Sequence, residues 1–255
     1  MPSDQHSGPS PDLPPIYRLV QIPRGPAFPK ALEEADAGAG PGTVVWSVRP
    51  DRLDCAIVLA PDEPLAVSLP VAYVALLGLG DALGALGPPN VPVTFGWPDR
   101  IEVNGAEVGG IRLAAAPVIS PAAIPDWMVI GIAIRILGEP NDDSPGLHPH
   151  RTALHEEGFG EVEAMPLLES FSRHFLAWMN RWQEDGFDPV RNAWLSRASG
   201  HDGEIKVERG GRTVTGSFTG IDSDGALLLG LEDGIHRVPL GDALAIPTWS
   251  WGMEP

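Results

Sequence analysis

The 255-residue chain contains a single cysteine, Cys55, and only two lysines, Lys30 and Lys206. One thiol excludes an internal disulfide framework. Scarce lysine against 34 Asp and Glu residues leaves a formal net charge of −17 and a pI near 4.6. Such a surface repels phosphate backbones and anionic lipid, so neither nucleic-acid nor membrane partners are expected. Long apolar runs are lacking too: the longest, Val67 to Leu79, is interrupted by Ser68, Pro70 and Gly78 and is too short to span a bilayer. The N-terminus has neither the charged start nor the continuous apolar run of a signal peptide, and a cytoplasmic location is expected. A P-loop, a Gly-x-Ser-x-Gly elbow and a dinucleotide fingerprint are all absent.

What is present is enough apolar content, 43%, for one full core plus a small appendage. Residues 1–15, with five prolines, bury too little to offset their ordering entropy and read as a flexible tail. Phe28 to Ala35 suits a short helix. Thr43 to Val48 and Leu53 to Ala60 suit buried strands, with Cys55 a small core residue in the second. Pro70 opens a helix whose buried face runs through Val71, Val74, Ala75, Gly78, Leu79, Ala82, Leu83 and Leu86, and Gly87 ends it. Asn104-Gly105 supplies the positive φ angles of a two-residue hairpin joining Arg100–Val103 to Ala106–Leu113. Trp127 to Leu137 is a core strand. A helix from about Pro166 aligns Leu168, Phe171, Phe175, Trp178, Met179 and Trp182, a stripe read as core, while Arg173, Arg181 and Glu184 face water.

Beyond Gly200 the pattern changes to short strands, 204–209, 212–221, 226–231 and 235–240, with turns at Gly210-Gly211, Asp224-Gly225 and Asp233-Gly234. The domain division expected is therefore 1–15, 16–199 and 200–255. Trp249 and Trp251 either cap the small domain, the favoured reading, or mark a partner surface.

The segment 97–110, Trp-Pro-Asp-Arg-Ile-Glu-Val-Asn-Gly-Ala-Glu-Val-Gly-Gly, resembles the core hairpin of the biotin/lipoate protein ligases. The resemblance extends to Gly131-Ile132-Ala133-Ile134, Thr152-Ala153-Leu154 and the Gly186-Phe187 step. It implies an α+β fold in which a mixed, largely antiparallel sheet packs with helices, of the class II synthetase type, with a small SH3-like C-terminal β domain. It further implies ATP-dependent activation of biotin, lipoate or a similar carboxylic acid, with magnesium on the phosphates, and transfer to a lysine of a biotinyl or lipoyl carrier domain. Trp97, Pro98, Gly109, Gly110 and Ile111 would then border the ligand. Glycines there let backbone approach a ligand closely, although a β-bulge or a crossing strand would use them equally.

Activation joins two anions, a carboxylate and the ATP α-phosphate, so the chemistry needs cations. The family supplies a lysine in the Trp-Pro motif and an arginine- and glycine-rich loop. Here the lysine position is Gly96 and the loop is reduced to Ser-Val-Arg-Pro-Asp-Arg. Arg100 and Arg112 are the candidate catalytic cations, and Arg49, Arg52 and Arg135 candidate ligand-binding ones, because a guanidinium binds phosphate or carboxylate bidentately. Arg112 otherwise faces solvent, and Arg135 otherwise pairs with Glu139. His148, His150, His155 and Glu156 fit no standard zinc spacing, and no metal site is expected. Two functions remain open: a ligase with arginines in place of the lost cations, and a binding or regulatory protein that has lost the activation step.

Overall fold

The computed structural model describes residues 10–138, 150–209, 212–245 and 247–249. The expected turn at Gly210-Gly211, the residues Glu139, His148 and Trp251, and most of the expected tail lie outside them. Within that tail, Pro11 is buried, Leu13 packs against the core and the Asp12 N–H donates to Glu169 at 2.8 Å.

A seven-stranded mixed sheet forms the body, in the order β1-β2-β3-β7-β6-β5-β4. Its strands are β1 (Arg18–Ile22), β2 (Thr43–Ser47), β3 (Arg52–Leu59), β4 (Val93–Gly96), β5 (Arg100–Val103), β6 (Ala106–Ala115) and β7 (Met128–Arg135). Among the described strand pairs of this sheet, β1–β2 alone is parallel. Alternation divides β3 between two cores. Leu53, Cys55 and Ile57 enter the main core, while Ala56 and Val58 meet Ala27, Ala31 and Ala35 of α1 (Ala27–Asp36) on the opposite face.

The main core lies under α3 (Val71–Leu86), α4 (Ala164–Asp185) and α5 (Phe187–Leu195), with the one-turn α2 (Leu65–Ser68) leading into α3. The expected single buried face of α3 is an underestimate. Ala72, Tyr73, Leu76 and Leu77 are buried as well, because sheet, α4 and the small domain surround the helix, and a helix buried all round is apolar all round. Leu65–Leu86 is long and apolar enough by composition to cross a membrane, yet most of it is buried inside the protein. Gly78 permits the close crossing of α3 and α4, since a Cβ there would stand 2.9 Å from the Phe175 backbone.

The hairpin turn is as expected, with Asn104 at φ 52° and Gly105 at φ 80°. The C-terminal unit is a four-stranded antiparallel sheet, β11-β10-β9-β8, made of β8 (Glu204–Arg209), β9 (Arg212–Ile221), β10 (Leu227–Leu231) and β11 (Gly234–Val238). The last strand was expected to reach Leu240. Pro239 ends it instead, and Leu240 begins the short α6 (Leu240–Leu244). Docking onto the body is direct: the Tyr73 hydroxyl donates to the Gly225 carbonyl at 2.6 Å, and Phe218 packs against Trp194.

Candidate functional site

Cross-strand partners project to the same side of a sheet, so the register locates the candidate arginines. Asp54, Ala133, Gly110 and Arg100 form one continuous row across β3, β7, β6 and β5. Ala56, Gly131 and Arg112 form the adjacent row on one side, and Arg52 faces Arg135 in the row on the other. These rows lie on the side that carries α1. That helix is only ten residues long and packs on β2, β3 and β7. Next to β7, Arg112 of β6 still meets the helix through Phe28, and Gly110 and Arg100 follow on β6 and β5.

The two motif glycines do different jobs. Gly109, at φ +152°, would drive a Cβ into the Ala133 carbonyl, and it sits where the β5–β6 register shifts, which is the bulge use. Gly110 is the close-approach glycine: a Cβ would collide with the Asp99 carbonyl and with the indole of Trp249. The side chains of Trp97 and Ile111 enter the main core. Trp97 donates its indole N–H to the Tyr73 hydroxyl at 2.9 Å, and its peptide bond to the buried Pro98 is cis.

Arg112 is half-buried. Its guanidinium lies 5.8 Å from the Phe28 ring and 5.6 Å from the Trp249 ring, and its Nε–H is buried with no acceptor among the described residues. Burial lowers its pKa, against the opposing charge of Asp54. Asp54 is buried beside it and accepts the Ala27 N–H at 3.2 Å. Burial holds that carboxyl above its usual range despite Arg52, Arg49 and Arg112. Arg49, in the short turn between β2 and β3, and Arg52, at the start of β3, both bond Asp51, at 3.0 and 2.9 Å.

Arg100 occupies a telling position. Gly96 and Arg100 are partners across β4 and β5, and a Cβ at Gly96 would stand 2.7 Å from the Arg100 Nε. The arginine therefore fills the space above Gly96 together with a Glu102 carboxylate oxygen, which a Cβ there would meet at 2.8 Å. It also approaches Glu102 at 3.8 Å and donates to the Thr248 hydroxyl at 3.4 Å.

Phe28, Asp54, Asp99, Thr248 and Trp249 were missed as site residues. Asp54 carried a signal as a charge inside an otherwise apolar strand, and Asp99 as part of the Trp-Pro segment. Trp249 does not cap the small domain. It is 2% exposed, lies against Gly110 and donates its indole N–H to the Ile111 carbonyl at 2.8 Å. The Thr248 N–H donates to one Asp99 oxygen at 2.8 Å and its hydroxyl donates to the other. Asp99 is 1% exposed, and burial pushes its carboxyl up to about 6 against those two bonds. With the indole in place the remaining cavity is about 20 Å³, lined by Phe28, Asp54, Arg112, Ala133 and Trp249 among others. A groove of about 850 Å³ on the small domain is larger, but it is open, acidic and without cations.

The remaining candidates have structural roles. Cys55 is fully buried, and its thiol is pushed upward by desolvation. The His155 ring contacts the Val162 carbonyl, and Glu156 accepts from the Thr152 hydroxyl. Among the described residues no group of three or more His, Cys, Asp or Glu is placed to hold a metal ion.

Comparison with known proteins agrees with this architecture. The profile of the biotin/lipoate A/B protein ligase family matches residues 13–196, and that of the biotin protein ligase C-terminal domain matches residues 202–244. A biotin–[acetyl-CoA-carboxylase] ligase of Paracoccus denitrificans is 30% identical over 223 residues, covering 86% of this chain and 90% of its own. A biotin protein ligase-like protein of unknown function from Silicibacter sp. TM1040 superposes with a TM-score of 0.82 at 36% identity, over 91% of this chain and 97% of that one. The Aquifex aeolicus biotin protein ligase in complex with biotin and ATP shares the fold, with a TM-score of 0.68 at 18% identity over 88% and 96% of the two chains. On the profile match over the whole body and the likeness to the Paracoccus enzyme, the chain belongs to the biotin/lipoate A/B protein ligase family.

Proposed function

We propose that the protein is an ATP-dependent ligase that activates biotin or a similar carboxylic acid and passes the acyl group to a lysine of a carrier domain. The observation that carries this reading is the Arg100 guanidinium above Gly96. A cation from the neighbouring strand, with Glu102 beside it, occupies the space over the residue that replaces the motif lysine. Arg112, on the same side of the sheet, supplies a second positive charge with a buried N–H awaiting an acceptor. Fixed cations in a partly dry site lower the cost of bringing carboxylate and α-phosphate together. Gly110 lets the backbone of β6 lie against the acid.

Biotin is favoured over lipoate because the Paracoccus relative is a biotin ligase and the Aquifex protein was solved with biotin and ATP. Arg49 and Arg52 would meet the phosphates only after release from Asp51. Magnesium would be carried in on the ATP phosphates. The carrier would be a biotinyl or lipoyl domain.

A second reading, a binding or regulatory protein without the activation step, is favoured by the short β2–β3 turn and by the indole over Gly110. Incubation with magnesium, ATP and biotin, lipoate or octanoate, followed by assay of acyl-adenylate, separates the two. Adenylate from one of the acids, lost by about 10²-fold in Arg100→Gln, is the expected result. Binding without adenylate, or neither, would leave the non-catalytic reading.

A further inference from the structure

We propose that Thr248 and Trp249 form an intramolecular plug that closes the sheet face around Gly110 and Arg112, and that a ligand of this face binds by displacing the indole. Three observations meet here. The indole lies against the glycine that keeps β6 open to close approach. Together with the Phe28 ring it lies against the guanidinium of Arg112. Its one polar atom is spent on the Ile111 carbonyl.

The fit is incomplete in a way that favours exchange. An indole N–H is a donor only, so Trp249 cannot satisfy the buried Nε–H of Arg112. A ligand with an acceptor oxygen would supply what the plug withholds. The latch holding the plug is Asp99, which receives both Thr248 donors but is itself almost wholly buried. Burial raises that carboxyl against the two Thr248 bonds. Arg100 touches the same Thr248 hydroxyl, so the cation over Gly96 and the latch share one atom, and opening the latch removes one of the contacts of Arg100 while Glu102 remains beside it.

The proposal rests on the ligase reading only for the choice of biotin as probe. The test uses the full chain and its Trp249→Ala variant, with Trp249→Phe and Thr248→Val as milder substitutions should the first fail to fold. Phenylglyoxal modification of Arg112, followed by peptide mass spectrometry, measures access without any ligand. Biotin affinity is measured in parallel. Arg112 labelling should rise, and biotin binding tighten, by about tenfold or more, the factor by which a site open about a tenth of the time weakens its ligand. Faster labelling with no biotin binding to any variant would sustain the plug and sink the biotin reading. Unchanged labelling in every folded variant would overturn the plug, and if biotin bound them all alike the ligase reading would survive alone.

Discussion

Asp99 shows how one residue can serve the fold at a cost that depends on pH. Its carboxyl sits at about 6 in the folded protein against a reference value of 3.8. The folded state therefore holds this proton more tightly than the unfolded chain. The resulting stability is fully present below about pH 4 and is lost as pH rises through about 6, by roughly 3 kcal/mol in all. Urea unfolding of wild type and Asp99→Asn across pH 4 to 7 should show the difference between them changing over that window, and a constant difference would refute the assignment. Gly110→Ala tests the close approach. Its methyl would strike the Asp99 carbonyl and the Trp249 indole, so a loss of about 1–3 kcal/mol is expected. The hairpin was legible in the sequence because Trp-Pro, Asn-Gly and Gly-Gly each have a geometric use. The shared face of Arg52, Arg100, Arg112 and Arg135 was not: alternation relates residues within a strand, but only the register relates β3 to β5.

At the scale of elements, the strands and helices with strong periodicity or clear turn punctuation were readable, including β3, β6, β7, α3 and α4. Those missed are short or lie at edges. β1 has five residues at the sheet's border and β4 has four, too few to display a period. α5 follows α4 after a single glycine at φ +78°, so the two read as one helix and its loop. Why α3 and α4 pack as closely as they do becomes plain only in three dimensions. Gly78 allows the contact, and Gly78→Ala would place a methyl 2.9 Å from the Phe175 main chain. Backbone cannot step aside as a side chain can, and destabilisation of about 1–3 kcal/mol is expected from chemical denaturation.

For the whole molecule, the small sheet depends on the body. Tyr73 donates to Gly225 and accepts from Trp97 through one buried hydroxyl. Tyr73→Phe leaves a buried donor and a buried acceptor unsatisfied, and a loss of about 2–4 kcal/mol is expected, read as a lower thermal midpoint with earlier protease cutting after Gly200. The net charge of −17 opposes the arrival of an anionic ligand at the arginine face. Under the proposed function, association of ATP or a carboxylate should speed up as salt screens that field; stopped-flow rates that fall with salt would show instead that local cations dominate.

Four residues separate Leu244, at the end of α6, from Trp249. A chain that short reaches at most roughly 17 Å, so a displaced indole never leaves the neighbourhood of its seat. Its return is set by an effective concentration of millimolar order that no dilution of the protein lowers. Any acid taking that seat competes against a constant internal rival, and the occupancy it reaches depends on the concentration of the acid alone.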